Sequence, residues 1–169
     1  MLRKFTANDA EPLADDYRDS VRMIGPQAYT QEQLDAWAIY PVDIEEFRSR
    51  PSRGLTLVAE VENRIAGFGQ LEPDDHVAFL YCAGRYSRKG IGAKICRALE
   101  AHALAMGTFP IHTEASRIGR LFFEKHGYSV VEVERVIRFG IEFERFRMVK
   151  KAPVSKAPEP ATPNGRGST

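Results

Sequence analysis

Tyr86-Ser87-Arg88-Lys89-Gly90-Ile91-Gly92-Ala93 stands between an apolar run, Val77-Ala78-Phe79-Leu80-Tyr81-Cys82, and a stretch in which Ile91, Ile95, Ala98, Leu99 and His102 recur at helical spacing. A strand, a glycine-bearing turn and a helix in that order aim free backbone N–H groups and the positive end of a helix at an anion. Gly90 and Gly92 leave out the Cβ atoms that would keep a phosphate away from the backbone. Arg85, Arg88, Lys89, Lys94 and Arg97 add positive charge around the same place. Arg88 and Lys89 sit at the helix start, where cations oppose the dipole and need another reason to be present. The pattern points to a phosphate-bearing ligand.

Outward from this stretch the signals are regular. Upstream, Leu55–Val61 and Arg64–Leu71 bracket Glu62-Asn63 and predict an antiparallel hairpin, and Pro73-Asp74-Asp75 turns the chain into the strand ending at Cys82. Further upstream, Leu2 to Thr6 reads as a first strand. Asn8 or Asp9 is expected to cap a helix presenting Leu13, Tyr17, Val21 and Ile24, which Gly25-Pro26 ends. Thr30-Gln31-Glu32-Gln33 is a capping-box pattern opening a second helix with Leu34 and Trp37, and Ile44 and Phe47 suggest a third. Downstream, the helix from Gly90 should end near Met106-Gly107. A short strand at Ile111–Glu114, a helix around Leu121–Lys125 and two strands turning near Gly140 follow. The order predicts an α/β domain with a mixed, mostly antiparallel sheet of six to seven strands flanked by helices.

The composition limits the partners. Among 169 residues, Lys+Arg 24 against Asp+Glu 23 leaves a formal net charge of +1, so bulk attraction to nucleic acid or to an anionic membrane is not expected. No run is long and apolar enough for a membrane span, and charge comes too early at the N-terminus for a signal peptide. The two cysteines, Cys82 and Cys96, lack CxxC spacing and fit a reduced, cytoplasmic protein. His76, His102, His112 and His126 show no metal-ligand spacing, so no metal is expected. Residues 1–150 read as one domain. Residues 151–169, rich in Pro, Ala, Ser and Gly, read as a disordered tail.

Among phosphate ligands, nucleotides fit poorly. GxxxxGK[ST] is absent, and Ile95 stands where GxGxxG needs its third glycine. The chain resembles instead the GNAT superfamily of acetyl-CoA-dependent N-acyltransferases, over nearly all of residues 1–150. The family's [Q/R]-x-x-G-x-[G/A] motif is matched by Ser87-Arg88-Lys89-Gly90-Ile91-Gly92. Its hairpin is matched by Val58-Ala59-Glu60 with Ile65-Ala66-Gly67-Phe68, and its later motif by Ser116-Arg117-Ile118-Gly119-Arg120-Leu121-Phe122-Phe123-Glu124-Lys125-His126-Gly127-Tyr128. Tyr29-Thr30-Gln31-Glu32-Gln33 with Trp37 is similar to a small bacterial branch of that family.

The resemblance implies that backbone amides of Arg88, Lys89, Gly90, Ile91, Gly92 and Ala93 hold the pyrophosphate of acetyl-CoA. It implies that the strand edge at Leu80, Tyr81 and Cys82 pairs with pantetheine like an added strand. A backbone N–H near Leu80 or Cys82 would then polarise the thioester carbonyl, and Ser116 and Phe123 would flank the thiol arm. Three residues depart from the family pattern: Ser87 replaces Gln or Arg, Ser116 replaces Asn, and Phe123 replaces the Tyr that protonates the leaving thiolate.

Transfer to a primary amine, on a small molecule or a peptide, needs the amine deprotonated, hence a general base. Glu114 is the first candidate, followed by His112 and His76; alternatively Glu114 only caps the next helix. Tyr81 is a candidate proton donor beside the thioester or a core aromatic, and Tyr128 a core aromatic. Trp37 and Tyr40 line an acceptor pocket or pack the second helix. Cys82, in its apolar run without a fixed partner, reads as structural. The expected activity is N-acetyl transfer by direct attack in a ternary complex, and the alternative, raised by Phe123, is a non-catalytic acyl-CoA-binding module. Exposed final strands suit a homodimer.

Overall fold

In the computed structural model, which describes residues 1–40 and 44–153, the chain forms two antiparallel sheets. The first runs β1 (Leu2–Lys4), β2 (Leu55–Val61), β3 (Arg64–Leu71), β4 (Val77–Cys82), in that spatial order. The second has β5 (Ile111–Ala115) at one edge, β7 (Ile141–Lys150) in the centre and β6 (Ser129–Arg138) at the other edge. The expected strands and their order are therefore present, divided between two sheets. Most of the tail expected from residue 151 lies outside the described residues. No helix among the described residues is long and apolar enough to cross a membrane.

Local chemistry sets the turns. Glu62 and Asn63 both adopt positive φ, 50° and 60°, as a tight hairpin between right-twisted strands requires. Thr30 and Gln33 form the expected reciprocal capping box at the start of α2 (Gln31–Ile39). At α1 (Ala10–Ile24) the expected cap is corrected: a 3-10 turn, Ala7–Asp9, precedes the helix, and the Asp9 side chain caps nothing in α1. Its carboxylate instead accepts from Thr6 N and from both terminal nitrogens of Arg3 at 2.8 Å. A charge-assisted fork outcompetes a single backbone N–H for the same oxygens. The third helix, α3, spans Ile44–Ser49.

Two layers of helix bury the sheets. On one face α4 (Ile91–Met106) sets Ile95, Cys96, Leu99 and Ala103 against Leu71 and Val77 of the first sheet. The same helix reaches Ile111, Ala115, Phe146 and Met148 of the second, with Phe123 of α5 (Arg117–Lys125). The approach is close: a Cβ on Gly69 of β3 would lie 2.6 Å from Ile95 Cγ2, so glycine lets α4 settle on the strand. On the other face Leu13 and Ala14 of α1 pack on Val58, Phe68 and Phe79.

The two sheets meet at β4 and β5, the strands that α4 connects. They touch through one parallel bridge, His76 to His112, flanked by His112 N–H to Asp75 O at 2.8 Å and Thr113 Oγ1 to Val77 O at 2.9 Å. The ladder does not continue toward Cys82 and Ala115, because the strands belong to separate sheets there. The result is a wedge with its closed end at His76 and its open end beside the Tyr86–Ala93 stretch.

Candidate active site

After Ala83 the chain makes a 3-10 turn, Gly84–Tyr86, and reaches α4 through Arg88 at φ 60° and Gly90 at φ 79°. The first N–H to bond within the helix is that of Lys94, to Gly90 O at 3.0 Å, so the N–H groups of Ile91, Gly92 and Ala93 precede the ladder. Arg88, Lys89 and Gly90 are exposed. A Cβ at Gly90 would meet nothing within 4 Å, so the glycine is required by its left-handed backbone and its surroundings are open. Arg88 also reaches Gln27 Oε1 at 3.4 Å, and Lys89 lies over the Tyr86 ring at 5.4 Å.

The edge of β4 leads into this turn. Leu80, Tyr81 and Cys82 pair on one side with Gly69, Phe68 and Gly67 of β3. Ala83 N–H bonds back to Ala66 O at 3.1 Å. By the alternation of an antiparallel ladder, the N–H and C=O groups of Leu80 and Cys82 therefore point to the other side, into the wedge. Those two residues are the ones for which the family resemblance implied a contact with the thioester.

Side chains alternate around the same edge. The Tyr81 ring lies 4.5 Å from Tyr17 and 5.9 Å from Phe68. Its hydroxyl hydrogen-bonds with Tyr17 and Trp37, and burial pushes the phenol up to about 12. Trp37 packs edge-on against Tyr29 at 5.1 Å, and Tyr40 against Tyr17 at 5.6 Å, so both belong to this aromatic cluster. Burial raises the Cys82 thiol to about 11, which keeps it protonated near neutrality. Ser116 Oγ accepts from Gly119 N at 2.9 Å and caps α5. Phe123 is 5% exposed and packs on Phe122 and Tyr128, offering only apolar surface.

Because Ser116 caps α5, Glu114 is free of that task. On β5, Ile111, Thr113 and Ala115 turn inward, while His112 and Glu114 face the opposite side. Glu114 Oε2 lies 2.7 Å from His76 Nε2, His76 Nδ1 lies 3.0 Å from Glu72 O, and the His76 and His112 rings stack at 4.6 Å. The three residues named from the sequence as candidate bases thus form one cluster at the closed end of the wedge. It borders a groove of about 780 Å³ lined by Asp74, Asp75, His112, Glu114, Val131 and Arg147.

One buried acid was missed by the sequence reading. Asp16 of α1 is 7% exposed, with Arg85 at 3.5 Å and no hydrogen-bond partner for Oδ2 among the described residues. Burial, opposed by Arg85, pushes its carboxyl up to about 6. The available signal was its place one turn from Leu13 and Ser20, on the inward stripe of the helix.

Comparison with known proteins bears on the same elements. The profile of the acetyltransferase (GNAT) domain family matches residues 26–150. The uncharacterized N-acetyltransferase YafP of Escherichia coli (strain K12) is 24% identical over 148 residues, covering 87% of this chain and 93% of that protein. The crystal structure from Rhodopseudomonas palustris described as a GCN5-related N-acetyltransferase (aminotransferase, class II) superposes with a TM-score of 0.87. Its identity is 30%, covering 90% of this chain and 95% of that one. The PaiA N-acetyltransferase from Thermoplasma acidophilum, solved with coenzyme A, shares the fold at TM-score 0.73 and 21% identity, over 90% and 98% of the two chains. With its family profile matched from the second helix to the last strand, and with a wedge between β4 and β5 beside a glycine-started helix, this chain belongs to the GNAT acetyltransferase family and is an acyltransferase.

Proposed function

We propose that the protein transfers the acetyl group of acetyl-CoA to a primary amine, of a small molecule or a peptide, within a ternary complex. The observation that carries this reading is the edge of β4 away from β3, with Leu80 and Cys82 turned into the wedge, running directly into N–H groups at the start of α4 that precede the helical ladder, of which that of Gly92 meets the Cys82 thiol. The amides from Arg88 to Ala93 receive the pyrophosphate, with Arg88 and Lys89 beside it. Pantetheine lies along β4 as an added strand. The N–H of Leu80 or Cys82 polarises the thioester carbonyl, where charge grows as the amine attacks.

Glu114, at the closed end of the wedge, takes up through a chain of water the proton lost by the amine as its nitrogen bonds to the carbonyl carbon and the C–S bond breaks. Tyr81 supplies the hydroxyl that protonates the departing sulfur, since Phe123 has none. Its high phenol pKa keeps that proton available at neutral pH. Ser116 and Phe123 bound the far side of the thiol arm. A homodimer through the exposed final strands and a cytoplasmic location complete the reading.

Calorimetry with coenzyme A and a thiol-release assay over amines, peptides and aminoglycosides test it. Gly90→Asp, which puts a carboxylate and a side chain against the pyrophosphate, should abolish coenzyme A binding. Glu114→Gln should retain binding and lower release by about 100-fold or more. Wild-type protein that fails to bind coenzyme A at millimolar concentration would sink the proposal, and binding without release for any acceptor would support the non-catalytic module instead.

A further inference from the structure

We propose that His76, His112 and Glu114 form a binding site for a divalent transition-metal ion of the zinc or cobalt type, at the closed end of the wedge. Their donor atoms all lie within 4.8 Å of one another, although His76 and Glu114 are 38 positions apart in the chain. The first argument concerns protons. A carbonyl oxygen only accepts, so the 3.0 Å contact between Glu72 O and His76 Nδ1 places the ring proton on Nδ1. The lone pair of Nε2 is then aimed at a carboxylate oxygen 2.7 Å away. Two acceptors face each other, and a cation must lie between them: a second proton or a metal ion. A backbone carbonyl holding the remote ring nitrogen is also how a ligating histidine is oriented and its tautomer fixed.

The second argument concerns the third donor. A shared proton would satisfy His76 and Glu114 and give no role to His112. Yet His112 is held against them by its backbone bond to Asp75 O at 2.8 Å and by ring stacking at 4.6 Å. Its Nδ1 is also 3.9 Å from Asp75 Oδ2, which puts a second carboxylate within reach. Two imidazoles and a carboxylate, with room for water, are a donor set that suits zinc, cobalt or nickel rather than magnesium or calcium. Donors around tetrahedral zinc stand roughly 3.3 Å apart. The His112 ring must therefore turn out of its stack, and Glu114 must open slightly. Both residues border the groove of about 780 Å³, through which an ion and its water can enter.

The site rests on this geometry and not on the acyl-transfer reading. Under that reading a bound ion would occupy Glu114 and block proton removal. The test is titration of the whole chain with Co2+ alone, followed by the visible ligand-field bands, with Zn2+ competition. One ion per chain is expected, with affinity lowered at least about tenfold in His76→Ala and in His112→Ala. His102→Ala, on α4 away from the cluster, should bind as wild type. The milder His112→Asn and far-UV circular dichroism guard against misfolding. No saturable uptake at millimolar metal would overturn the proposal and leave a shared proton. So would uptake that persists in the double histidine variant or disappears in Cys82→Ser.

Discussion

At the scale of single residues, burial decides which acids can act and which only cost stability. Asp16 is nearly enclosed, and its carboxyl is pushed from 3.8 to about 6 in the fold. The protonated form is thus the one the fold favours: its contribution is complete below pH 4 and is lost as pH rises through 6. Two units correspond to about 3 kcal/mol at most. Asp16→Asn should therefore be more stable than wild type at pH 8, by about 1–3 kcal/mol, with the gain vanishing near pH 4. Thermal melts at the two pH values check it, and an equal gain at both would refute the assignment. Phe123 tests the opposite case, a hydroxyl absent from a buried ring. Phe123→Tyr should leave the fold intact where Tyr128 and Phe122 can make room, and raise thiol release only if proton donation limits turnover. Tyr81→Phe should lower release at unchanged coenzyme A affinity if Tyr81 is the donor.

At the scale of elements, helix ends show how capping depends on what else is nearby. Thr30 and Gln33 close the box that their spacing predicts, in an exposed setting, with Gln33 Nε2 also reaching Glu142 O at 3.0 Å. Thr30→Ala should cost about 1 kcal/mol. Asp9 has the residue type of a cap but sits 6% exposed, with its carboxyl held below the usual range chiefly by the Arg3 guanidinium. Asp9→Ala removes a two-pronged charged contact and the bond to Thr6 N, and should cost about 2–3 kcal/mol. Since the Asp9 carboxyl is depressed, its contribution is present above pH 4 and is lost as pH falls below that. Urea denaturation at pH 7 should rank Asp9→Ala below Thr30→Ala. The reverse order would mean that the Arg3 contact contributes little.

At the scale of the whole molecule, the working feature is the divergence of two strands joined by a helix. Thr113 Oγ1, buried, donates to Val77 O at 2.9 Å and pins the closed end of the wedge. Thr113→Val should cost about 1–2 kcal/mol, because it strands a buried carbonyl. Faster amide exchange around Val77 should accompany it, and unchanged exchange would place the pin elsewhere. Much of the architecture was legible beforehand, because hairpin turns, capping boxes and the Gly90 turn depend on residues a few positions apart. The spacing that marks Asp9 as a cap does not show that Arg3 competes for it from a neighbouring strand, and helical spacing does not reveal how deeply a charged residue such as Asp16 is enclosed. The sequence by itself determined the order of elements, the glycine-started helix whose first amides precede its ladder, and the lack of a hydroxyl at Phe123. Only the tertiary structure decided that Leu80 and Cys82 face an open wedge, and that His76, His112 and Glu114 share one corner of it. That register depends on how α4 packs across both sheets, a long-range burial of apolar surface that short-range patterns do not encode.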